Sequence, residues 1–173
     1  MTGAGTKAVW GGEEGALWAG ATQVPVVHSV AFGYDDVDEW LAVAQGRKPG
    51  HIYSRNTNPT VHAFEEKVRV LEGAEAATSF ATGMAAISST LFALLAPGAR
   101  VVSIKDCYGG TSKMFAEFLP KFGIEVVQCE TNNPVAIETQ IAQGCRLVYL
   151  ESPANPTLAI VDIARLAAAA HKV

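Results

Sequence analysis

Short apolar runs and helical stripes alternate through the second half of the chain. Residues 76–80 read as a strand. Residues 83–95 then place Met84, Ile87, Leu91, Leu94 and Leu95 on one stripe, the spacing of a helix that packs on one face. Pro97-Gly98 marks a turn, and 100–104 reads as the next strand. The Gly109-Gly110 pair precedes a helix over about 111–122. A strand at 124–129, a helix opened by Asn133-Pro134 and running to Gly144, and a strand at 146–150 follow. Asp162 then caps an Ala-rich helix that continues to the end of the chain. This β-α-β-α-β-α-β-α order, with short and almost wholly apolar strands, predicts an α/β fold. Its sheet is mostly parallel, flanked by helices and connected by right-handed crossovers.

The first part of the chain is less regular. Residues 1–30 are rich in Gly, Ala and Trp, show no sustained period and read as an extended arm. Gly3-Ala-Gly5-Thr6-Lys7 has the residue types of a phosphate loop. The Walker spacing is wrong and no strand precedes it, so a flexible terminus is expected. Asp36 and Asp38 open a short helix with Trp40, Leu41 and Ala44 on one face. Residues 46–59, with their Gly, Pro and Asn, read as an ordered loop that carries Tyr53 and Arg55. Thr60 is expected to cap a helix with Val61, Phe64, Val68 and Leu71 at helical spacing, and Gly73 to stop it. The division is then 1–59 for the arm and loop and 60–173 for the α/β part.

Composition narrows the function classes. The chain has 173 residues, 49% hydrophobic and 17% charged, which supports a core and excludes a disordered acidic chain. The net charge of −4 comes with no basic stripe, so neither nucleic acid nor an anionic membrane surface is an expected partner. No run of about 18 apolar residues spans a membrane. No secretory h-region follows the N-terminus, so the expected location is cytoplasmic. Cys107, Cys129 and Cys145 are odd in number and lack a C-x-x-C pair, and His28, His51, His62 and His171 lie far apart. Free thiols, no disulfide framework and no metal site are expected.

In open α/β sheets ligands bind beyond the carboxyl ends of the strands, which leaves three loops. Thr82-Gly83-Met84 lies where a helix starts, so free N–H groups and the helix dipole favour a phosphate there. An ordinary cap with a glycine for tight packing is the alternative. Tyr108, before two glycines, puts a ring where it can stack on a planar ligand or simply pack over its own loop. Glu151 and Asn155 flank Pro153 and Pro156 in a stiff loop, where a carboxylate and an amide can orient a ligand; an Asx-type turn is the alternative for Asn155. Together these describe a pocket for a phosphorylated planar aromatic. Pyridoxal phosphate fits better than a dinucleotide, since no G-x-G-x-x-G follows any strand.

Four segments carry a resemblance. They are Tyr53-Ser54-Arg55-Asn56-Thr57-Asn58-Pro59-Thr60, Ala81-Thr82-Gly83-Met84-Ala85-Ala86-Ile87, Tyr108-Gly109-Gly110-Thr111 and Glu151-Ser152-Pro153-Ala154-Asn155-Pro156-Thr157. In this order and at these separations the chain resembles the N-terminal part of the pyridoxal-phosphate-dependent Cys/Met metabolism (transsulfuration) enzymes. The resemblance implies the large-domain part of the fold type I transferases. It implies that Gly83 and Met84 give N–H groups to the cofactor phosphate and that Tyr108 stacks on the pyridine ring and helps activate the substrate amine. It places Asn155 near the ring hydroxyl, and Thr82 and Glu151 among the cofactor-binding residues. Tyr53 and Arg55 would reach the phosphate of a neighbouring subunit's cofactor, in a homo-oligomer built as a dimer of dimers with shared sites. Arg suits that role because its planar fork binds phosphate bidentately.

The same resemblance implies amino-acid and methionine biosynthesis chemistry in the cytoplasm on a small amino-acid substrate. The first expectation is γ-replacement on an O-acylhomoserine, as in cystathionine γ-synthase or O-succinylhomoserine sulfhydrylase. A γ-elimination lyase and a non-catalytic remnant that assembles with full-length subunits are the alternatives. Dedicated methionine γ-lyases often carry Cys at the second glycine of the Tyr-Gly-Gly-Thr loop, whereas Gly110 stands here. The family's cofactor-binding lysine, in a Ser-x-Thr-Lys setting, its ring-nitrogen Asp and its carboxylate-gripping Arg have no counterpart among these residues. The chain is therefore expected to be a fragment, inactive by itself, whose sheet lacks later strands.

Overall fold

The computed structural model describes residues 3–12 and 20–173. The chain divides into two compact units, Met1–Ser79 and Phe80–Val173. The helix expected to open the α/β part therefore lies in the first unit. No helix among the described residues is long and apolar enough to cross a membrane.

Among the described residues, the first unit holds three helices, α1 (Ala4–Trp10), α2 (Val37–Ala44) and α3 (Pro59–Glu72). The arm is thus not extended throughout. Residues 4–10 are helical, residues 13–19 lie outside the described residues, and residues 24–29 form neither helix nor strand. Two glycines after α1 let the chain press against α3. A Cβ on Gly12 would stand 2.6 Å from the Glu66 carbonyl carbon, and its φ of +76° is one that glycine adopts without strain. The stretch that includes residues 24–29 is held by hydrogen bonds to the 51–60 segment. Phe32 N–H donates to the Ile52 carbonyl and Ser54 N–H to the Val30 carbonyl, around an antiparallel bridge between Ala31 and Tyr53.

Asp36 caps α2 as expected, its side chain accepting from Asp38 N–H. The cap of α3 is Asn58, not Thr60: Pro59 takes the first helical position and the Asn58 side chain accepts from Thr60 N–H. Thr60 instead turns outward from the helix start, its hydroxyl accepting from Val27 N–H and donating to the Pro25 carbonyl. Gly73 ends α3 in the left-handed conformation. The α3 stripe is only partly used. Val61, Phe64 and Leu71 are exposed, and Ala63 is the helix's buried residue.

The expected strand at 76–80 is not formed. A strand needs a neighbour, and none pairs with this segment among the described residues. The backbone N–H and hydroxyl of Ser79 both bond to the Glu65 carboxylate instead, at 2.7 and 2.9 Å.

The second unit is a three-stranded parallel sheet with helices around it. After α4 (Gly83–Leu94) come β1 (Arg100–Ile104), α5 (Gly109–Lys113), β2 (Glu125–Cys129), α6 (Pro134–Ala142), β3 (Leu147–Tyr149) and α7 (Ile163–Ala170). The sheet order is β2-β1-β3, with Val102 opposite both Val127 and Val148. Val101, Val102, Ser103 and Ile104 are all fully buried, so both faces of β1 are covered. Leu91 and Leu95, Phe115 and Leu119, Ile137 and Ile141, and Leu166 complete one core around them. The single helix expected over 111–122 is broken. It begins as α5, widens into a π turn at Met114–Phe118 and tightens into a 3-10 turn at Leu119–Phe122, where Pro120 has no N–H to donate.

Arg100, at the entry of β1, ties three elements together. Its guanidinium donates to the Gln140 and Gly144 carbonyls at 2.9 and 2.8 Å and meets the Glu125 carboxylate at 3.4 Å. It thereby satisfies carbonyl groups at the end of α6.

Candidate active site

The carboxyl ends of β1 and β3 and the start of α4 bring six of the eight expected residues into the second unit. Thr82 caps α4, its hydroxyl accepting from Ala85 N–H at 3.0 Å. The N–H groups of Gly83 and Met84 have no partner among the described residues. A Cβ on Gly83 would project into open space, so this glycine is not there for tight packing. It leaves room for an anion at the positive end of a helix.

Tyr108 stands beside that turn. A Cβ on Gly110 would come within 2.8 Å of the Met84 sulfur and 2.9 Å of the Tyr108 ring. The first turn of α4 and the aromatic loop therefore meet at Gly110. The Tyr108 ring is half exposed, and its hydroxyl has no partner among the described residues. The open start of α4 and the exposed ring thus lie side by side.

Glu151 closes the third side. Its carboxylate accepts from Tyr108 N–H at 2.9 Å and from the Tyr149 hydroxyl at 2.9 Å. Thr157 donates to the Asp106 carboxylate at 3.1 Å, and Asp106 N–H donates to the Thr131 hydroxyl, which joins the loops after all three strands. Asn155 is exposed on this loop and its side chain bonds to nothing among the described residues. That leaves its amide free for a ligand rather than committed to a turn.

Tyr149, Asp106, Thr131 and Thr157 were not legible as site residues. The available signal was the Tyr149–Glu151 spacing, since residues i and i+2 at a strand end share a face. Cys107 lies in the same loop and is buried. Burial pushes its thiol up to about 11, partly offset by the Ser103 hydroxyl and reinforced by Glu151 and Asp106. Burial also pushes the Tyr149 phenol up to about 12. All three cysteines are free thiols.

The other two expected residues lie in the first unit. Tyr53 and Arg55 are both exposed, with the Arg55 guanidinium 5.0 Å over the Tyr53 ring.

The second unit thus carries an open helix N-terminus beside an exposed ring, and a free amide on the loop after β3. The family model for the Cys/Met metabolism PLP-dependent enzymes matches residues 5–173, and the chain belongs to that family. Pyridoxal phosphate is the cofactor of that family, and the open Gly83 turn beside Tyr108 fits it. Over 169 residues the chain is 38% identical to an L-methionine gamma-lyase of Fusobacterium nucleatum subsp. polymorphum, covering 98% of this chain and 42% of that protein. It is 40% identical over 126 residues to an O-succinylhomoserine sulfhydrylase of Pseudomonas aeruginosa, covering 73% of this chain and 31% of that one. A solved structure of a Campylobacter jejuni protein described as an O-acetylhomoserine (thiol)-lyase, which carries N′-pyridoxyl-lysine-5′-monophosphate, matches with a TM-score of 0.90 at 28% identity. The match covers 99% of this chain and 42% of that one. The chain thus spans less than half the length of the relatives it matches.

Proposed function

We propose that the protein is a PLP-dependent enzyme that carries out γ-replacement on an O-acylhomoserine with a sulfur nucleophile, giving cystathionine or homocysteine. The observation that carries this reading is Gly110, whose missing side chain leaves room for both the Met84 sulfur and the Tyr108 ring beside its Cα. A cysteine there, the residue often found in dedicated methionine γ-lyases, would push on the Met84 thioether and the Tyr108 ring together.

The chain's own residues divide the work. The N–H groups of Gly83 and Met84 would hold the cofactor phosphate, Tyr108 would stack on the ring, and Asn155 would lie near the ring hydroxyl. Tyr53 and Arg55 of a second copy bind the same phosphate, so sites are shared in a homo-oligomer; the exposed apolar residues Val61 and Phe64 suit such a contact. As its phenolate, Tyr108 could take up a proton from the substrate's ammonium group, leaving the amine neutral and the phenol protonated. The bound cofactor supplies an electron sink while protons leave the substrate's α and β carbons. The 173 residues alone are inactive on this reading, because Lys7, Lys48, Lys67, Lys105, Lys113, Lys121 and Lys172 all lack the Ser-x-Thr-Lys setting.

γ-Elimination is the second reading, favoured by the 38% identity to an L-methionine gamma-lyase. Supplying the whole protein with O-succinylhomoserine plus cysteine or sulfide, against methionine alone, separates the two. Cystathionine or homocysteine as the main product supports replacement, and 2-oxobutyrate from methionine overturns it.

A further inference from the structure

On sequence grounds Glu151 belongs with the cofactor-contacting residues. The structure assigns it a different role, as a positioning residue that fixes the Tyr108 peptide to the protein core and so sets where the ring stands. This rests on the reading of Tyr108 as the stacking residue of a PLP site.

The Tyr108 loop is fixed before its aromatic residue, where Asp106 bonds to Thr131 and Thr157, but at Tyr108 itself the local supports are few. Tyr108 is the N-cap of α5 but offers no capping side chain, and the next two residues are glycines. The helix it begins has only five residues before the backbone widens into the π turn. The two peptide groups that flank Tyr108 are held differently. The carbonyl of the following one is bound locally by Ser112 N–H at 2.9 Å. The preceding one has its Cys107 carbonyl bound by the Ser112 hydroxyl at 3.2 Å, while its N–H, that of Tyr108, is bound by Glu151, 43 residues away.

Glu151 is itself anchored. Its second oxygen accepts from the Tyr149 hydroxyl, and the Tyr149 ring meets the buried Phe115 edge-on, with centroids 5.1 Å apart at 83°. A continuous path of contacts therefore runs from the core through Phe115, Tyr149 and Glu151 to the Tyr108 amide. Both carboxylate oxygens face donors of the chain itself, in charge-assisted bonds that are stronger than neutral ones. A carboxylate occupied in this way orients the ring without needing to touch the cofactor.

The test uses the whole protein with Glu151→Ala and Glu151→Gln, and two readouts. Hydrogen–deuterium exchange of the peptide spanning residues 106–113 is followed without cofactor, and visible circular dichroism and cofactor affinity are followed with pyridoxal phosphate. The alanine variant is expected to exchange about tenfold faster at this peptide and to bind the cofactor about tenfold more weakly, with a reduced dichroic signal. The glutamine variant, which keeps an acceptor oxygen but no charge, is expected to show changes of about threefold. If the alanine variant does not fold, the glutamine variant decides, and wild-type exchange there overturns the proposal. Lost affinity with unchanged exchange also overturns it, because Glu151 would then contact the cofactor directly. Faster exchange in a protein that binds no pyridoxal phosphate in any form supports the tether while refuting the functional reading.

Discussion

The two units are stabilised in different ways. In Phe80–Val173, buried side chains from five helical segments and the strands form one core around Val101, Val102 and Ile104. In Met1–Ser79, only Val43 and Ala63 among the described apolar residues are buried, while Val61, Phe64 and Leu71 remain exposed. What organises the first unit is polar. Asn58 donates to the Val27 carbonyl and the Ser54 hydroxyl while capping α3, and Thr60 grips Val27 and Pro25. One unit depends on excluded volume and the other on directed hydrogen bonds, so different substitutions should damage them.

Phe115→Ala should have the largest effect. Phe115 is 1% exposed, and its removal should cost about 3–5 kcal/mol, read as a fall in the urea midpoint of the second unit. Exchange of residues 25–60 should stay unchanged; joint loss of protection in both units would break the comparison.

Asn58→Ala is the mirror experiment. It removes a cap and leaves the Val27 carbonyl without its donor, at about 1–2 kcal/mol. Faster exchange should appear in residues 25–60 and not in β1. If β1 exchanges faster as well, the polar network supports more than its own unit.

Alkaline pH should weaken the second unit selectively. Folding raises the Cys107 pKa from 9.0 to about 11, so the folded state favours the neutral thiol. This contribution is complete below pH 9 and is lost as pH rises to 11. Tyr149 behaves alike between pH 10.0 and about 12. Urea midpoints at pH 8 and pH 10.5 should differ more in the wild type than in Cys107→Ala. Equal differences would mean that the thiol's burial carries no linkage.

The smallest effect should come from Arg165→Ala. Its bidentate pair with Glu138 joins α7 to α6 at 2.7 and 2.8 Å, but both groups meet solvent. The midpoint should be unchanged within error in moderate salt, because exposed pairs are screened. A clear fall would show that surface charge shares the work of the core.

The same contrast explains what could be read from the sequence. Elements of the second unit are local signals backed by burial: β1 falls at 100–104 as expected, and Asn133 and Asp162 cap α6 and α7. The segment 76–80 has a strand's residues, yet pairing depends on a neighbour that local pattern does not report. In the first unit, α1 shows no long period because seven residues make barely two turns. Asn58 was available as the cap through Pro59 at the first helical position, but Thr60 stood nearer the apolar stripe. For the candidate site, the residue types pointed to three loops, of which two follow strands and one opens α4 with no strand before it. The tether from Glu151 to Tyr108 spans 43 residues, and only the folded register brings its ends together.

Arg100 bears on which sequences could drift into this one. Its one flat fork serves carbonyls of two residues and a carboxylate across the strand pair. A lysine would keep the charge, but its single ammonium cannot reach those acceptors in the same plane. An exchange that looks neutral in a substitution table is therefore not neutral here, and homologues that carry lysine at this position should have rebuilt the end of α6 by other means.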